Sequence, residues 1–370
     1  MGRPPAYRRS SSLIAYWDEG RLVVHNYHSG ARVVVHPSLI PFLHDFDRVS
    51  RAAGSRGRKA SARLARTTTE LARHTLLEAA GCPARAAVPG WDAWAPLAAA
   101  FHFGTKDLPF STDPQRGERR LARVARRSPM PPPAKQAERK VRITPLPAVP
   151  LTGEFVETLL DRRTWRDFGR RKVTVRDVAA LLRLTWGVQR WGIAPGQGRV
   201  ALKTSPSGGA CHPGEVYVLA VRIDGLAPGL YHYESHRHRL ALIRRSATPA
   251  DIGRYLPGQP WYRRASALFL MTAVFERAQW RYPTPRAYRT VLVDAGHLCQ
   301  TFCLTASWLK LAPFCSMALA DSIIERDLGI DGESEGVLYA AGVGSRAVAG
   351  WRPGVPGVRR TRRTAPSSSF

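Results

Sequence analysis

A segment rich in proline and arginine, residues 111–152, divides this chain into two parts. Seven of its prolines stand at positions 129, 131, 132, 133, 145, 147 and 150. Because proline lacks a backbone donor and interrupts helices and central strands, the segment is predicted to be a linker or an exposed arm. Docking of this basic stretch on an acidic partner is the alternative. For 370 residues we expect two folded regions, 1–110 and 153–350, and a basic tail, 351–370.

Short apolar runs separated by turn residues characterise the N-terminal part. Runs of β-branched and aromatic residues at Leu13–Trp17, Arg21–Tyr27 and Ala31–His36 are separated by glycine-containing triplets, which predicts tight hairpins. Helices are predicted from Pro37 onward and over Arg58–Ala80. This order of elements predicts a small winged-helix-like domain.

Helices and strands alternate in the C-terminal part. Helical periodicity covers Glu154–Asp161, Thr174–Gln189 and Arg286–Leu311, and strand-like runs cover Glu215–Arg222, Ala267–Phe275 and Val337–Val343. A long amphipathic helix among mixed elements predicts a layered α+β fold.

The chain is strongly basic, with 56 Lys and Arg against 28 Asp and Glu and a formal net charge of +28. Such a field attracts acidic peptides or nucleic acid. Genome composition explains the arginine excess equally well, and nucleic acid is the less favoured partner.

The sequence also bears on compartment and on cysteine chemistry. The basic N-terminus is not followed by an apolar stretch of signal-peptide length, and no run approaches the length of a membrane span, so we expect a soluble cytoplasmic protein without a membrane partner.

The five cysteines, at positions 82, 211, 299, 303 and 315, form no CxxC pair. This spacing predicts neither a disulfide scaffold nor a metal site, and Cys299 and Cys303 are expected in a helix core.

Three segments combine residues that suit a phosphate or a planar ligand. Residues 162–166 (RRTWR) carry three guanidinium groups, whose forks match phosphate oxygens. The loop 205–213 (SPSGGACHP) contains two adjacent glycines, which allow close backbone approach to a ligand. Residues 342–346 (GVGSR) follow a strand and could hold a phosphate. Taken singly, each string is also explained by a solvated helix end or a surface turn.

In chain order, these segments resemble the flavin-binding elements of the nitroreductase superfamily. Within it, the strings Arg286-Ala287-Tyr288-Arg289, Asp294-Ala295-Gly296-His297 and Gln300 resemble the SagB-type peptide dehydrogenases, and Phe101–Asp107 resembles a segment of their N-terminal half. The resemblance covers residues 153–346 well and 13–110 loosely. It implies a nitroreductase-like FMN-binding domain behind the winged-helix-like domain, in a homodimer.

The resemblance implies an enzyme that oxidises thiazoline or oxazoline rings to thiazole or oxazole in a ribosomally synthesised peptide. The substrate would be a precursor peptide whose leader binds the N-terminal region, and a cyclodehydratase would be the partner. FMN would accept the hydride, and dioxygen would regenerate the cofactor. The protein would then contribute orientation and electrostatics.

Residue by residue, the resemblance implies three groups of FMN contacts. They are Arg162, Arg163, Thr164 and Arg166 at the phosphate and ribityl chain, Pro206, Ser207, Gly208 and Gly209 at the isoalloxazine ring, and Gly342, Gly344 and Arg346 at the phosphate end. In dimers of this superfamily the loop at the ring can reach the flavin of the partner subunit.

The family's catalytic Lys-Tyr pair aligns with Arg281-Tyr282. Because arginine stays protonated in proteins, Arg281 cannot be a general base, although its charge can favour the phenolate of Tyr282. Tyr282 is therefore the expected base, and the alternative is that both are ordinary loop residues. His212 and His297 are further candidates, with a structural role as the alternative for His297.

Two other functions fit parts of the pattern. An NAD(P)H-dependent flavin nitro or quinone reductase would have no need of the additional N-terminal residues. A non-catalytic protein that binds peptide or nucleic acid and has a degenerate flavin site is compatible with arginine at position 281.

Overall fold

The computed structural model describes residues 6–47, 50–51, 58–79, 90–108, 113–128, 146–147 and 149–347. The tail, 351–370, and residues 111–112, 129–145 and 148 of the predicted linker lie outside these residues. Within the linker segment, Pro114–Arg127 forms a helix whose N-cap, Asp113, accepts a hydrogen bond from the Gln115 amide. This helix is compatible with the sequence because its proline stands at the first position, where no intrahelical donor is needed.

The N-terminal elements form two small sheets with flanking helices. In chain order the elements are β1 (Ala6–Arg9), β2 (Leu13–Asp18), β3 (Arg21–Asn26), β4 (Ala31–Val35), α1 (Leu39–His44), β5 (Ser50–Arg51), α2 (Arg58–Arg73), β6 (Leu77–Ala79), α3 (Leu97–Gly104) and α4 (Pro114–Arg127). Strands β2, β3 and β4 form an antiparallel sheet, which confirms the predicted hairpins. Strand β1 lies between β5 and β6 in the second sheet.

The helix predicted over Arg58–Ala80 ends earlier than its apolar spacing indicates. It stops at Arg73, Thr75 has a positive φ of 57°, and Leu77–Ala79 is a strand paired with β1. Tertiary pairing therefore overrides the local periodicity here. The winged-helix-like architecture predicted for this part is not confirmed.

The C-terminal elements confirm the predicted α+β class. They are α5 (Glu154–Asp161), β7 (Val173–Thr174), α6 (Val175–Thr185), β8 (Arg190–Ala194), β9 (Gly198–Leu202), β10 (Gly214–Ala220), β11 (Ile223–Asp224), β12 (Gly229–Glu234), β13 (Arg239–Arg245), α7 (Pro249–Tyr255), β14 (Ala267–Val274), α8 (Glu276–Gln279), α9 (Tyr288–Trp308), β15 (Leu311–Ser316), α10 (Asp321–Leu328) and β16 (Glu335–Ser345). Among the described residues, none of the helices combines the length and the hydropathy needed to cross a membrane.

A six-stranded sheet forms the centre of this part, in the order β13-β12-β10-β14-β16-β15. All neighbouring pairs in it are antiparallel. Alternate residues of β10 enter two different cores: Val216 and Val218 face one, and Tyr217 and Leu219 face the other. Because side chains alternate across a strand, this burial shows that both faces of the sheet are covered.

Helices cover the two faces of the sheet. On one face, Leu181 of α6 and Phe302 of α9 belong to the same core as Phe269 of β14. On the other face, Ile252 of α7 and Ile324 of α10 pack in the second core. Helix α9 buries residues at spacings of three and four, as an amphipathic helix requires.

Residues 90–108 attach the N-terminal part to the C-terminal part. The Trp91 indole donates to the Glu333 carbonyl at 2.8 Å, and the Trp94 indole donates to the Tyr282 carbonyl at 3.0 Å. His102 Nδ1 shares a 2.7 Å hydrogen bond with Tyr288 Oη at the start of α9, and Lys106 forms a 2.5 Å ion pair with Glu325. The two parts therefore share a core of aromatic side chains.

Substitution of Gly342 tests whether close packing requires this glycine. A Cβ atom there would lie 2.3 Å from the Phe314 ring, so we expect Gly342→Ala to lower the free energy of unfolding by about 1–3 kcal/mol. Gly296, in α9, is the control: a Cβ atom there meets nothing within 4 Å, and Gly296→Ala should raise stability by up to about 1 kcal/mol. Urea unfolding measures both, and equal stability of the two variants would contradict the packing role.

Candidate active site

The glycine-containing loop at 206–212 is fastened to helix α9 through Asp294. The Ser207 hydroxyl donates to Asp294 Oδ2 at 2.5 Å, and the Gly208 amide donates to Oδ1 at 3.4 Å. The Ser207 hydroxyl also accepts from the His212 amide at 2.9 Å. Asp294 is buried, and burial raises the pKa of its carboxyl although the two donors from the loop oppose that rise. Ser207 therefore holds the two ends of the loop together above α9.

The two glycines of this loop are required by contacts on both sides. A Cβ atom on Gly208 would lie 2.2 Å from Thr290 Cγ2 of α9. Gly209 has a φ of +61°, and a Cβ atom on it would lie 2.3 Å from the Arg281 side chain and 2.7 Å from Tyr282 Oη. The loop thus passes between α9 and the Arg281-Tyr282 pair.

Arg281 and Tyr282 follow α8 and form a connected pair. Arg281 Nε donates to Tyr282 Oη at 3.0 Å. The backbone of Tyr282 is held by two further bonds, since its amide donates to the Ala278 carbonyl and its carbonyl accepts from Trp94. The hydrogen bond from the guanidinium fixes the position of the Tyr282 oxygen, so this geometry suits a tyrosine that exchanges a proton with a substrate.

A cavity of about 480 Å³ opens beside this pair. Its lining residues are Gly208, Tyr282, Thr284, Arg286, Ala287, Arg289, Thr290, Val293, Asp294 and His297. His297 Nδ1 lies 3.3 Å from the Pro206 carbonyl. The strings 286–289 and 294–297, which the sequence suggested as family motifs, therefore meet the glycine loop at one cavity.

A larger cavity of about 700 Å³ lies at the other end of the loop, where Ala210, Cys211 and His212 line it. Burial, together with the nearby charge of Lys203, lowers the pKa of His212 to about 4. Burial also lowers the pKa of Lys203. His212 is therefore a neutral imidazole near pH 7.

The arginine segment lies in a different place, after α5. Arg163 donates to the carbonyls of Leu160 and of its neighbour Arg162. The Arg166 guanidinium lies 6.0 Å from the centre of the Trp261 ring, and Thr164 is half-buried. This segment presents a local concentration of positive charge at the surface.

Arg346 lies beside this segment. It donates to the Leu311 and Ser307 carbonyls at 3.0 and 3.2 Å, pairs with Asp161 at 2.9 Å, and stacks 5.4 Å from the centre of the Trp165 ring. Arg346 therefore donates a hydrogen bond to a carbonyl at the C-terminal end of α9. It could bind a ligand as well.

Gly342 and Gly344, predicted at the phosphate end, pack against aromatic rings. A Cβ atom on Gly344 would lie 2.5 Å from the Phe168 side chain. A Cβ atom on Gly342 would lie 2.3 Å from the Phe314 ring. The structure accounts for both glycines by packing.

The predicted site residues therefore form two groups at opposite ends of α9. The loop and the Arg281-Tyr282 pair lie near Asp294, and the arginine segment lies near Ser307. Asp294 and Ser307 are separated by 13 residues of helix, or roughly 20 Å.

Sequence reasoning missed the structural roles of Asp294 and Trp94. Asp294 is a carboxylate on the buried face of a helix, between Val291 and Leu298, and such a residue needs partners. That pattern was a usable signal. No comparable signal marks Trp94, because its contact with Tyr282 spans 188 positions of sequence.

Comparison with known proteins gives consistent matches. Residues 159–345 match the Nitroreductase family. The trifolitoxin-processing protein TfxB of Rhizobium leguminosarum bv. trifolii is 34% identical over 143 residues, which are 37% of this chain and 38% of TfxB. The nitroreductase candidate MJ1384 of Methanocaldococcus jannaschii is 27% identical over 174 residues, which are 47% of this chain and 83% of that protein. This chain thus spans about two fifths of the length of TfxB.

Two solved structures are also similar. A nitroreductase-type protein of Anabaena variabilis has 27% identity and a TM-score of 0.44, over 52% of this chain and 38% of that one. A chain of the E. coli microcin synthetase McbBCD complex, solved with truncated pro-MccB17 bound, has 19% identity and a TM-score of 0.46, over 64% of this chain and 88% of that one. The superfamily recognised in the sequence is confirmed by the family match. Because the family match extends over residues 159–345, half of the chain, this protein belongs to the nitroreductase family.

Proposed function

We propose that this protein is an FMN-dependent dehydrogenase of the SagB type, which oxidises thiazoline or oxazoline rings in a ribosomally synthesised peptide to thiazole or oxazole. The observation that carries the proposal is the contact of Tyr282 Oη with Arg281 Nε, at 3.0 Å, beside the glycine loop and its cavity. A relative named for trifolitoxin processing supports a peptide substrate.

The residues present fit FMN. Arg162 and Arg166 supply guanidinium donors for a phosphate, and both are partly exposed. Gly208 lines the cavity beside Tyr282 without a side chain of its own, which suits the close approach of a planar ring system. When bound, FMN would supply the hydride acceptor for the oxidation, and dioxygen would restore it.

Conversion of an azoline to an azole removes one proton and one hydride from the ring. In the proposal, Tyr282 takes the proton at its phenolate oxygen. Arg281 holds that oxygen through its Nε–H and stabilises the negative charge. Ser207 and Asp294 fix the loop that borders the ring, so the substrate and the base keep one relative orientation.

We further propose that each site is built from two subunits. Within one chain the arginine segment and the glycine loop are separated by roughly 20 Å along α9, so a symmetric dimer would join the arginines of one subunit to the loop of the other. Phe155 and Leu160 on α5, and Val293 and Trp308 on α9, are exposed apolar side chains that a second copy would cover.

The N-terminal part is the proposed docking region for the peptide leader. Strand β4 pairs only with β3 among the described strands, so its other edge offers backbone groups for strand addition. The net charge of +28 favours an acidic leader. A cyclodehydratase that makes the azoline would act before this enzyme. Turnover of the whole precursor, compared with that of a leaderless core peptide, tests the docking role.

A nitro or quinone reductase that uses NAD(P)H is the second candidate, because the family match alone is compatible with it. Rapid flavin reduction by NAD(P)H, without azoline oxidation, would favour this reductase. A protein that cannot be reconstituted with FMN would favour a non-catalytic binding function.

The first test of the proposal concerns flavin retention. Arg166→Ala removes a charge-assisted hydrogen bond to the phosphate, so we expect FMN affinity to fall about ten- to a hundredfold. Arg170→Ala removes an exposed arginine nearby and serves as the control. Flavin absorbance after gel filtration measures both, and unchanged retention in Arg166→Ala would remove Arg166 from the site.

The second test concerns the base. Tyr282→Phe should retain FMN and the fold but lose about 10²–10⁴-fold in turnover, since it removes the proton acceptor. Arg281→Lys keeps the cation and should remain active, whereas Arg281→Ala should be slower. Mass spectrometry measures the loss of two hydrogens per ring. A fully active Tyr282→Phe variant would show that another residue is the base. His212 and His297 would then be the remaining candidates.

The third test asks whether the site is shared between subunits. Arg166→Ala and Tyr282→Phe subunits, co-expressed with different affinity tags, give mixed dimers. If one subunit supplies the arginine and the other the tyrosine, each mixed dimer contains one intact site and should show about half of the wild-type rate. Mixed dimers as inactive as the two parent variants would indicate that each site lies within one chain.

A further inference from the structure

Three cysteine side chains converge where α9 packs against the edge strand β15. Cys299 and Cys303 are four residues apart on α9 and are buried, and Cys315 lies on β15. The three sulfur atoms all lie within 4.8 Å of one another. All three thiols are free.

The arrangement of the three sulfurs suits one metal ion. Tetrahedral zinc has Zn–S bonds of about 2.3 Å, which places its sulfur ligands about 3.8 Å apart. The observed separations are within 4.8 Å, so small rotations of three side chains would bring them to that spacing. A disulfide would use two of the sulfurs and leave the third, whereas a cation uses all three.

A hydrogen-bond donor lies beside one of the three sulfurs. Tyr339 Oη donates to Cys315 Sγ at 3.3 Å. Such an outer partner orients a metal ligand and stabilises it.

We propose that Cys299, Cys303 and Cys315 bind a thiophilic divalent cation, with Zn²⁺ as the physiological ion. Soft thiolate ligands select zinc over the hard cations magnesium and calcium. Three thiolates and one Zn²⁺ carry a net charge of −1, and the hydrogen bond from Tyr339 Oη to Cys315 Sγ would stabilise part of that charge. The ion would fix α9 to β15 near the arginine segment, independently of whether the proposed oxidation takes place.

Cadmium is a suitable probe, because it prefers sulfur ligands and its coordination is visible by X-ray absorption. Full-length protein, reduced and stripped of metal with a chelator, is titrated with Cd²⁺. We expect one tightly bound ion per chain with three sulfur neighbours. Bound Cd²⁺ with mainly oxygen and nitrogen neighbours would overturn the proposal, and this measurement on the wild type does not depend on whether any variant folds.

Variants identify the ligands. Cys315→Ser should abolish tight binding, and Tyr339→Phe should weaken it about tenfold by removing the hydrogen bond to a ligand. Cys211→Ser is the control, since Cys211 lies in the glycine loop and is not part of the cluster. Circular dichroism verifies the fold of each variant. Binding that survives in folded Cys315→Ser protein, or that is lost in the control, would overturn the assignment.

Discussion

The structure depends on the burial of helix α9 against the six-stranded sheet. Phe302 is fully buried between α6 and β14, and removing such a side chain typically costs about 3–5 kcal/mol. Both groups of predicted cofactor residues are anchored to this helix, the glycine loop through Asp294 and Arg346 through the Ser307 carbonyl. A shift of α9 would therefore move the two groups together, and its packing keeps them at a constant separation.

The second constraint is the attachment of residues 90–108. His102 is buried among aromatic rings, and burial lowers its pKa to about 3, so it is neutral near pH 7 and bonds to Tyr288 without a buried charge. Trp94 holds the Tyr282 carbonyl in the same region. The N-terminal part thus contributes directly to the position of the proposed base, in addition to its proposed role in peptide docking.

Much of the fold could be predicted because its signals are local. The spacing of apolar residues identified α5 and the whole of α9, and β-branched runs bounded by glycine turns identified β2 to β4. The prediction failed after Arg73, where pairing with β1 turned an apparent helix end into a strand. The close packing of the loop backbone at Gly208 and Gly209 also follows from the sequence, because adjacent glycines allow such an approach.

By itself, the sequence determined the family, the α+β class and the residue types that suit a flavin phosphate and ring. The signals for all three lie in short contiguous stretches of residues. Only the tertiary structure decided which strings meet. It joined the loop to Asp294 and the Arg281-Tyr282 pair, assigned Gly342 and Gly344 to ring packing, and brought Cys315 to Cys299 and Cys303. The physical reason is that such contacts join residues far apart in the chain, so no local pattern of residues encodes them.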